Sequence, residues 1–298
     1  MDAPRLRAAL AATYVSFGGA GVTMATWASR IPQVRDRLAL EPSELGFVLL
    51  AVAVGSLIAL PLAGPLVALG GSTRIVSTMA TLFGVGMTVV GLGVNVGVVA
   101  VVVGLGMMGF AAGAWDVAMN VHGAAVERHL GRSVMSRFHA GFSLGTVAGA
   151  LVGAMMVAAG VSVAVHMIAV GVIVAVSVVF AARRFLDDEP SEPAGDAPVG
   201  PPAERRGHFA AWKEPRTLLI GVFVLAFAFA EGVGNDWIAV AMIDGYGTAD
   251  AVGTFVFAAF LSAMTLGRWF GPAALDRYGR TAVVRGLAAL GIAGTALF

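Results

Sequence analysis

Between Arg74 and Asp116 this chain carries 41 consecutive residues with no Lys, Arg, Asp or Glu. A helix that shows one face to water marks that face with charge, so a run like this has no water-facing side. A helix crossing the hydrocarbon core of a bilayer needs about 20 mostly apolar residues. The run is therefore long enough for two crossings, with the turn expected near Gly93-Val94-Asn95. The same arithmetic applies elsewhere. Arg7 to Arg30 encloses 22 such residues, Glu44 to Arg74 encloses 29, and Arg137 to Arg183 encloses 45, the last with a turn near Gly160. Six spans thus precede Arg183. Their backbone polar groups have no water to bond in lipid and must pair within each segment, which makes the spans helices.

Composition closes off other classes. Only 12% of the residues are charged, against roughly 25% in a soluble domain. That leaves too little polar surface to cover a globule in water. The 40 glycines suit helices that pack closely in lipid. Absence of cysteine excludes disulfides, thiol chemistry and Cys-based metal sites, and a net charge of +1 excludes a strongly basic nucleic-acid binder. No phosphate-binding G-x-x-x-x-G-K-[ST] loop is present, nor a G-x-S-x-G or H-E-x-x-H motif. The residues point to no cofactor, no metal and no enzyme activity.

After Arg183 the character changes. Asp187 to Pro202 is rich in Pro, Asp, Glu, Gly and Ala and reads as a flexible linker. Apolar sequence resumes at Thr217, with a seventh span over about 217–243, an eighth over about 249–275 and a ninth starting near Ala282. The expected organisation is a six-helix bundle over 1–184, a linker over 185–215 and a partial second bundle over 216–298. Arg5 and Arg7 precede an apolar run as in a secretory signal, but the run is long and further spans follow, so a retained first span is expected.

Basic residues in the loops set orientation. With the N-terminus inside, the inner set (Arg5, Arg7, Arg74, Arg128, Arg132, Arg137, Arg183, Arg184, Arg205, Arg206, Lys213, Arg216, Arg277, Arg280 and Arg285) numbers 15, and the outer set (Arg30, Arg35 and Arg37) numbers 3. The N-terminus and the linker are expected in the cytoplasm, and the stretch Arg30–Glu44 outside, as a short loop with an amphipathic turn.

Six spans, a linker and further spans suggest a duplicated half. Setting Gly71 on Gly279 pairs Thr73 with Thr281 at an offset of 208, and an offset of 210 sets Trp27 on Trp237. Parallel halves related by an axis along the membrane normal are a transporter pattern. At this point a resemblance enters. Asp276-Arg-Tyr-Gly-Arg280 resembles the loop motif of the major facilitator superfamily; the first copy has Ala68 and Leu69 where the acid and arginine would stand. Trp27-Ala-Ser-Arg-Ile-Pro, Trp115-Asp-Val-Ala-Met-Asn-Val-His-Gly, His139-Ala-Gly-Phe-Ser-Leu-Gly145 and Glu231-Gly-Val-Gly-Asn-Asp-Trp237 resemble a bacterial branch of that superfamily near the fucose permeases. The resemblance implies an inner-membrane transporter, with Asp276, Arg277 and Arg280 latching neighbouring helix ends. It also implies twelve spans, about three more than this sequence holds. A chain cut short there is expected not to transport, since the cavity needs helices from both halves. Gly141-x3-Gly145-x3-Gly149-x3-Gly153 is similar to the glycine-rich fifth helix of the superfamily's antiporters but lacks their proline; close helix packing is the plainer reading.

An ionisable group inside a span is costly and marks function by default. Asp116 sits in the inner half of span four with Asn120 one turn on. The pair either bonds a neighbouring helix or faces a central cavity and takes a proton or a sugar hydroxyl. His139 opens span five and either caps that helix or takes a proton relayed from Asp116. Glu231 lies 15 residues past Arg216, deep in span seven, with Asn235 on its face and Asp236 and Trp237 next. Trp27 and Arg30 in span one offer an apolar ring face and a charge-assisted donor, or else anchor the interface. Arg268, near the inner end of span eight, is expected to snorkel to the interface. The expectation is a secondary transporter for a small polar solute such as a sugar, proton-coupled and monomeric, in contact with the lipid bilayer and without nucleic acid. Export of drug-like compounds and an inactive membrane protein are the alternatives.

Overall fold

The computed structural model describes residues 3–187 and 214–298. Among them are ten helices and no strand: α1 (Ala3–Ala28), α2 (Ile31–Leu38), α3 (Pro42–Gly70), α4 (Ser72–Gly93), α5 (Val98–Leu130), α6 (Met135–Ala158), α7 (Val163–Ala182), α8 (Pro215–Tyr246), α9 (Asp250–Tyr278) and α10 (Arg280–Leu297). Nine stretches are long and apolar enough to cross a membrane, α1 and α2 counting as one. The protein is an all-α polytopic membrane protein. Most of the linker lies outside the described residues.

Chain reversals fall where backbone freedom permits. The α4–α5 turn ends at Gly97 (φ 143°) and the α6–α7 turn contains Gly160 (φ 66°), both conformations that a side chain disfavours. The Ser162 hydroxyl accepts from the Val165 amide and starts α7. Glu127 does more than sit at an interface. Its Oε2 accepts from the Val134 and Met135 amides, each at 2.7 Å, and from the Ser133 hydroxyl at 3.2 Å. That carboxylate supplies the acceptor that the first amides of α6 lack. The stretch after Arg30 is a full two-turn helix, α2, whose buried residues are Ile31, Pro32, Val34 and Arg35.

In lipid, helices associate by close packing and not by excluding water. The glycine stripe of α6 does this against α1. A β-carbon added at Gly145 would lie 2.2 Å from the Gly18 carbonyl oxygen, and one at Gly149 would lie 2.6 Å from that of Val22. The α3–α5 seam is as tight at Gly109, whose β-carbon would meet the Val52 carbonyl at 2.0 Å. The outer faces stay apolar, with Leu57 68% and Ile173 63% exposed, a surface that lipid covers.

The duplication is visible in the backbone. α3 and α9 are both 29 residues long, and their first and last residues differ by 208. Gly71 (φ 77°, ψ 153°) and Gly279 (φ 78°, ψ 154°) turn the chain identically into α4 and α10. The helices of the first half pack as one bundle, and α6 meets α9 of the second half.

Candidate functional site

The cavity between the two bundles is lined by Met24, Ala25 and Ala28 of α1, Phe142 and Thr146 of α6, Glu231 and Asn235 of α8, and Phe257, Leu261, Met264 and Arg268 of α9. Its free volume is about 20 Å³, room for one water molecule. Arg268 is its centre. One guanidinium nitrogen donates to Glu231 Oε1 at 2.8 Å, and the other donates to Ser143 Oγ across the bundle boundary at 3.2 Å. Arg268 does not snorkel to an interface. Glu231 of α8 gives the guanidinium an ionic partner that a bare helix end would not.

The other sequence-selected residues distribute in five places. Asn235 joins Glu231 in the lining, one helical turn on. Asp116 and Asn120 form a second polar group, the Asn120 side-chain amide donating to the Asp116 carbonyl at 2.8 Å and to its carboxylate at 3.2 Å. Both lie on the stripe of α5 that carries Gly109, seven and eleven residues on from it, apart from the side where Trp115 donates to Ser16 of α1. Asp116 is exposed there, and the ring of His139 on α6 stands edge-on to Phe17 at 5.2 Å. Trp27 and Arg30 are not in the lining. Trp27 is 6% exposed, and Arg30, 2% exposed, is turned into the first bundle, where its Nε donates to His166 Nδ1 at 2.9 Å. Asp236 makes no hydrogen bond among the described residues, and Trp237 packs toward Gly46 of α3. Asp276, Arg277 and Arg280 are exposed at the α9–α10 turn; Arg277 lies over the Tyr278 ring at 5.3 Å, and Asp276 has no ion-pair partner among the described residues.

Sequence reasoning passed over Arg268, Ser143 and His166 as site residues. A signal for Arg268 existed: it is the one basic residue between Arg216 and Arg277, isolated in an apolar span as Glu231 is, and two isolated opposite charges in neighbouring spans are natural partners.

Relatives share this plan. An uncharacterized transporter of Sinorhizobium fredii is 30% identical over 89% of this chain and 67% of its own length. An uncharacterized MFS-type transporter of Yersinia pestis is 30% identical over 92% of this chain and 68% of its own. The membrane protein MosC of Rhizobium meliloti is 27% identical over 93% and 65%. The chain thus spans about two thirds of the length of these relatives. A crystal structure of the nucleoside transporter NupG superposes with a TM-score of 0.66 at 14% identity, over 94% of this chain and 69% of that one, which speaks to the fold. The sequence profile of the Major Facilitator Superfamily matches residues 8–298. With six packed spans, a repeated second half and a polar site between them, the chain belongs to the Major Facilitator Superfamily of transporters.

Proposed function

We propose that the protein is a secondary transporter that carries a small polar solute across a bacterial inner membrane by alternating access, with its N-terminus in the cytoplasm and protons as the coupling ion. The observation that carries this reading is the Glu231–Arg268 pair at the bundle boundary, with Arg268 reaching Ser143 of the other bundle. A solute hydroxyl that bonds either charged group competes with these contacts, so occupancy of the site and the fit of the two bundles are linked. The motifs that resemble those of the fucose permeases favour a sugar-like ligand. The lining also holds Phe142 and Phe257 beside the polar groups, and that mixture suits a solute with both a flat ring and hydroxyls, a description that fits the nucleoside carried by the structural neighbour. Efflux of apolar drugs is the weaker alternative, because a purely apolar compound would leave the Glu231–Arg268 pair without a replacement partner.

Asp116 near His139 supplies the protonatable group of the first half, and Glu231 that of the second. The test is a panel of sugars and nucleosides added to the detergent-solubilised protein while its unfolding midpoint is read. A solute that raises the midpoint in the wild type and fails to do so in Glu231→Gln and Arg268→Gln supports the site. Equal stabilisation of wild type and both variants by every active solute overturns it.

A further inference from the structure

Arg30 stands at the corner between α1 and α2 and is 2% exposed. A guanidinium stays charged near neutral pH, and a charge taken out of water is costly unless it is paired. Among the described residues Arg30 has no ion-pair partner, whereas Arg35 and Arg268 each meet a carboxylate. The helices of its bundle that pack against α1 on either side offer none. α1, α6 and α7 contain no Asp or Glu at any position.

The one bond that Arg30 makes fixes the state of its neighbour. Its Nε donates to His166 Nδ1 at 2.9 Å. Guanidinium nitrogens only donate, so Nδ1 is the bare acceptor of a neutral ring and the proton sits on Nε2. His166 therefore brings a second donor and no negative charge. It is 3% exposed, and neither its Nε2 nor Arg30 Nη2 has a hydrogen-bond partner among the described residues.

Thr26, four residues before Arg30 and on the same side of the helix end, supplies a third donor. Other buried threonines of the spans return the hydroxyl to the carbonyl one turn back, Thr13 to Ala9 and Thr265 to Leu261, each at 2.8 Å. Thr26 Oγ1 is buried and does not. Ser29 donates to the Thr26 carbonyl at 2.7 Å and stands against Gly153 of α6, where an added β-carbon would lie 2.2 Å from Ser29 Oγ and 4.0 Å from His166 Cε1. One layer inside the first bundle thus holds three unsatisfied donors and one uncompensated positive charge. Gln33 Oε1 is also buried and unpartnered among the described residues, but the amide of that side chain is committed to Asp250 of α9 at 3.0 Å.

We propose that this layer binds one small monovalent anion of the size of chloride, held by Arg30 Nη2, His166 Nε2 and the Thr26 hydroxyl. One negative charge balances the single guanidinium, and the ion ties the end of α1 to α7. Burial of Arg30 keeps lipid headgroups and bulky solutes away, which leaves an ion that travels alone. The site shares no residue with the cavity between the bundles and does not depend on the transport reading.

The test uses the full chain in detergent, with its thermal unfolding midpoint read as sodium chloride replaces sodium gluconate at constant ionic strength. Gluconate is too large for the layer, and an ion that binds only the folded state raises the midpoint with its concentration. Expected is a rise that saturates in the wild type. Thr26→Val keeps the shape and removes the hydroxyl, and half-saturation there should need at least about tenfold more chloride, as for a lost hydrogen bond to a charged group. In Arg30→Gln the rise should vanish; should that variant fail to accumulate, Thr26→Val decides alone. A wild-type midpoint equal in chloride and gluconate overturns the site and leaves these donors to water. Equal half-saturation in the wild type and Thr26→Val also overturns it, because chloride then acts elsewhere.

Discussion

At the scale of single residues the molecule is governed by contacts too short for a side chain and charges too costly to leave alone. Gly145 shows the first. Its spacing within a four-residue glycine repeat was legible as a packing stripe, but which helix it meets depends on the tertiary fold. The structure sets it against Gly18, with 2.2 Å between an added β-carbon and a carbonyl oxygen. Gly145→Ala must then push α1 and α6 apart, and overpacking of this kind costs about 1–3 kcal/mol. Thermal unfolding in detergent should show a lowered midpoint for Gly145→Ala, and no comparable loss for Gly267→Ala, where no atom lies within 4 Å of the added carbon. Equal midpoints in the two variants would mean that the α1–α6 seam is looser than described. The second rule, on charge, governs where the ions of the spans find partners. Glu231 and Asn235 were identified from their depth in an apolar span and do line the cavity. Arg30 satisfied the same criterion but found His166, a partner 136 residues away that no local pattern announces. Arg268 was read as a snorkelling residue because distance along the helix was measured and the neighbouring helix was not.

Among the helices, turns and spans were largely written in composition, and caps and short helices were not. The turns near Gly93 and Gly160 stand where uncharged runs too long for one crossing had to fold back. α2 escaped as a helix because eight residues carry little periodic signal, and its buried arginine reads from sequence as a solvent-facing residue. The role of Glu127 was also hidden: it bonds amides seven and eight residues downstream, across a turn rather than along a helix. It holds the start of α6, whose first amides have no acceptor within their own helix. Glu127→Ala should therefore loosen the 131–134 turn, read as faster protease cleavage there, with Glu127→Gln intermediate because its one carboxamide oxygen is a weaker acceptor. Cleavage of Glu127→Ala at the wild-type rate would remove the cap from the account.

For the whole molecule, the repeat offset leads to an expectation of two related halves, and glycine turns of nearly the same backbone angles stand at 71 and 279. What the offset could not say is where the halves touch, since that depends on side chains that diverged after duplication. They touch along α6 and α9, through Arg268 and Ser143 at the cavity, and through α2 at one rim. The central claim is that this boundary carries solute and proton together. The measurement that tests it most directly is solute flux into vesicles under an imposed pH gradient, with the protein at its natural length in the wild-type, Asp116→Asn and Glu231→Gln forms. The account predicts gradient-driven flux in the wild type and, in each variant present at wild-type amount, flux that no longer responds to the pH gradient. Undiminished gradient-driven flux in both variants would contradict it and leave these carboxylates as packing groups.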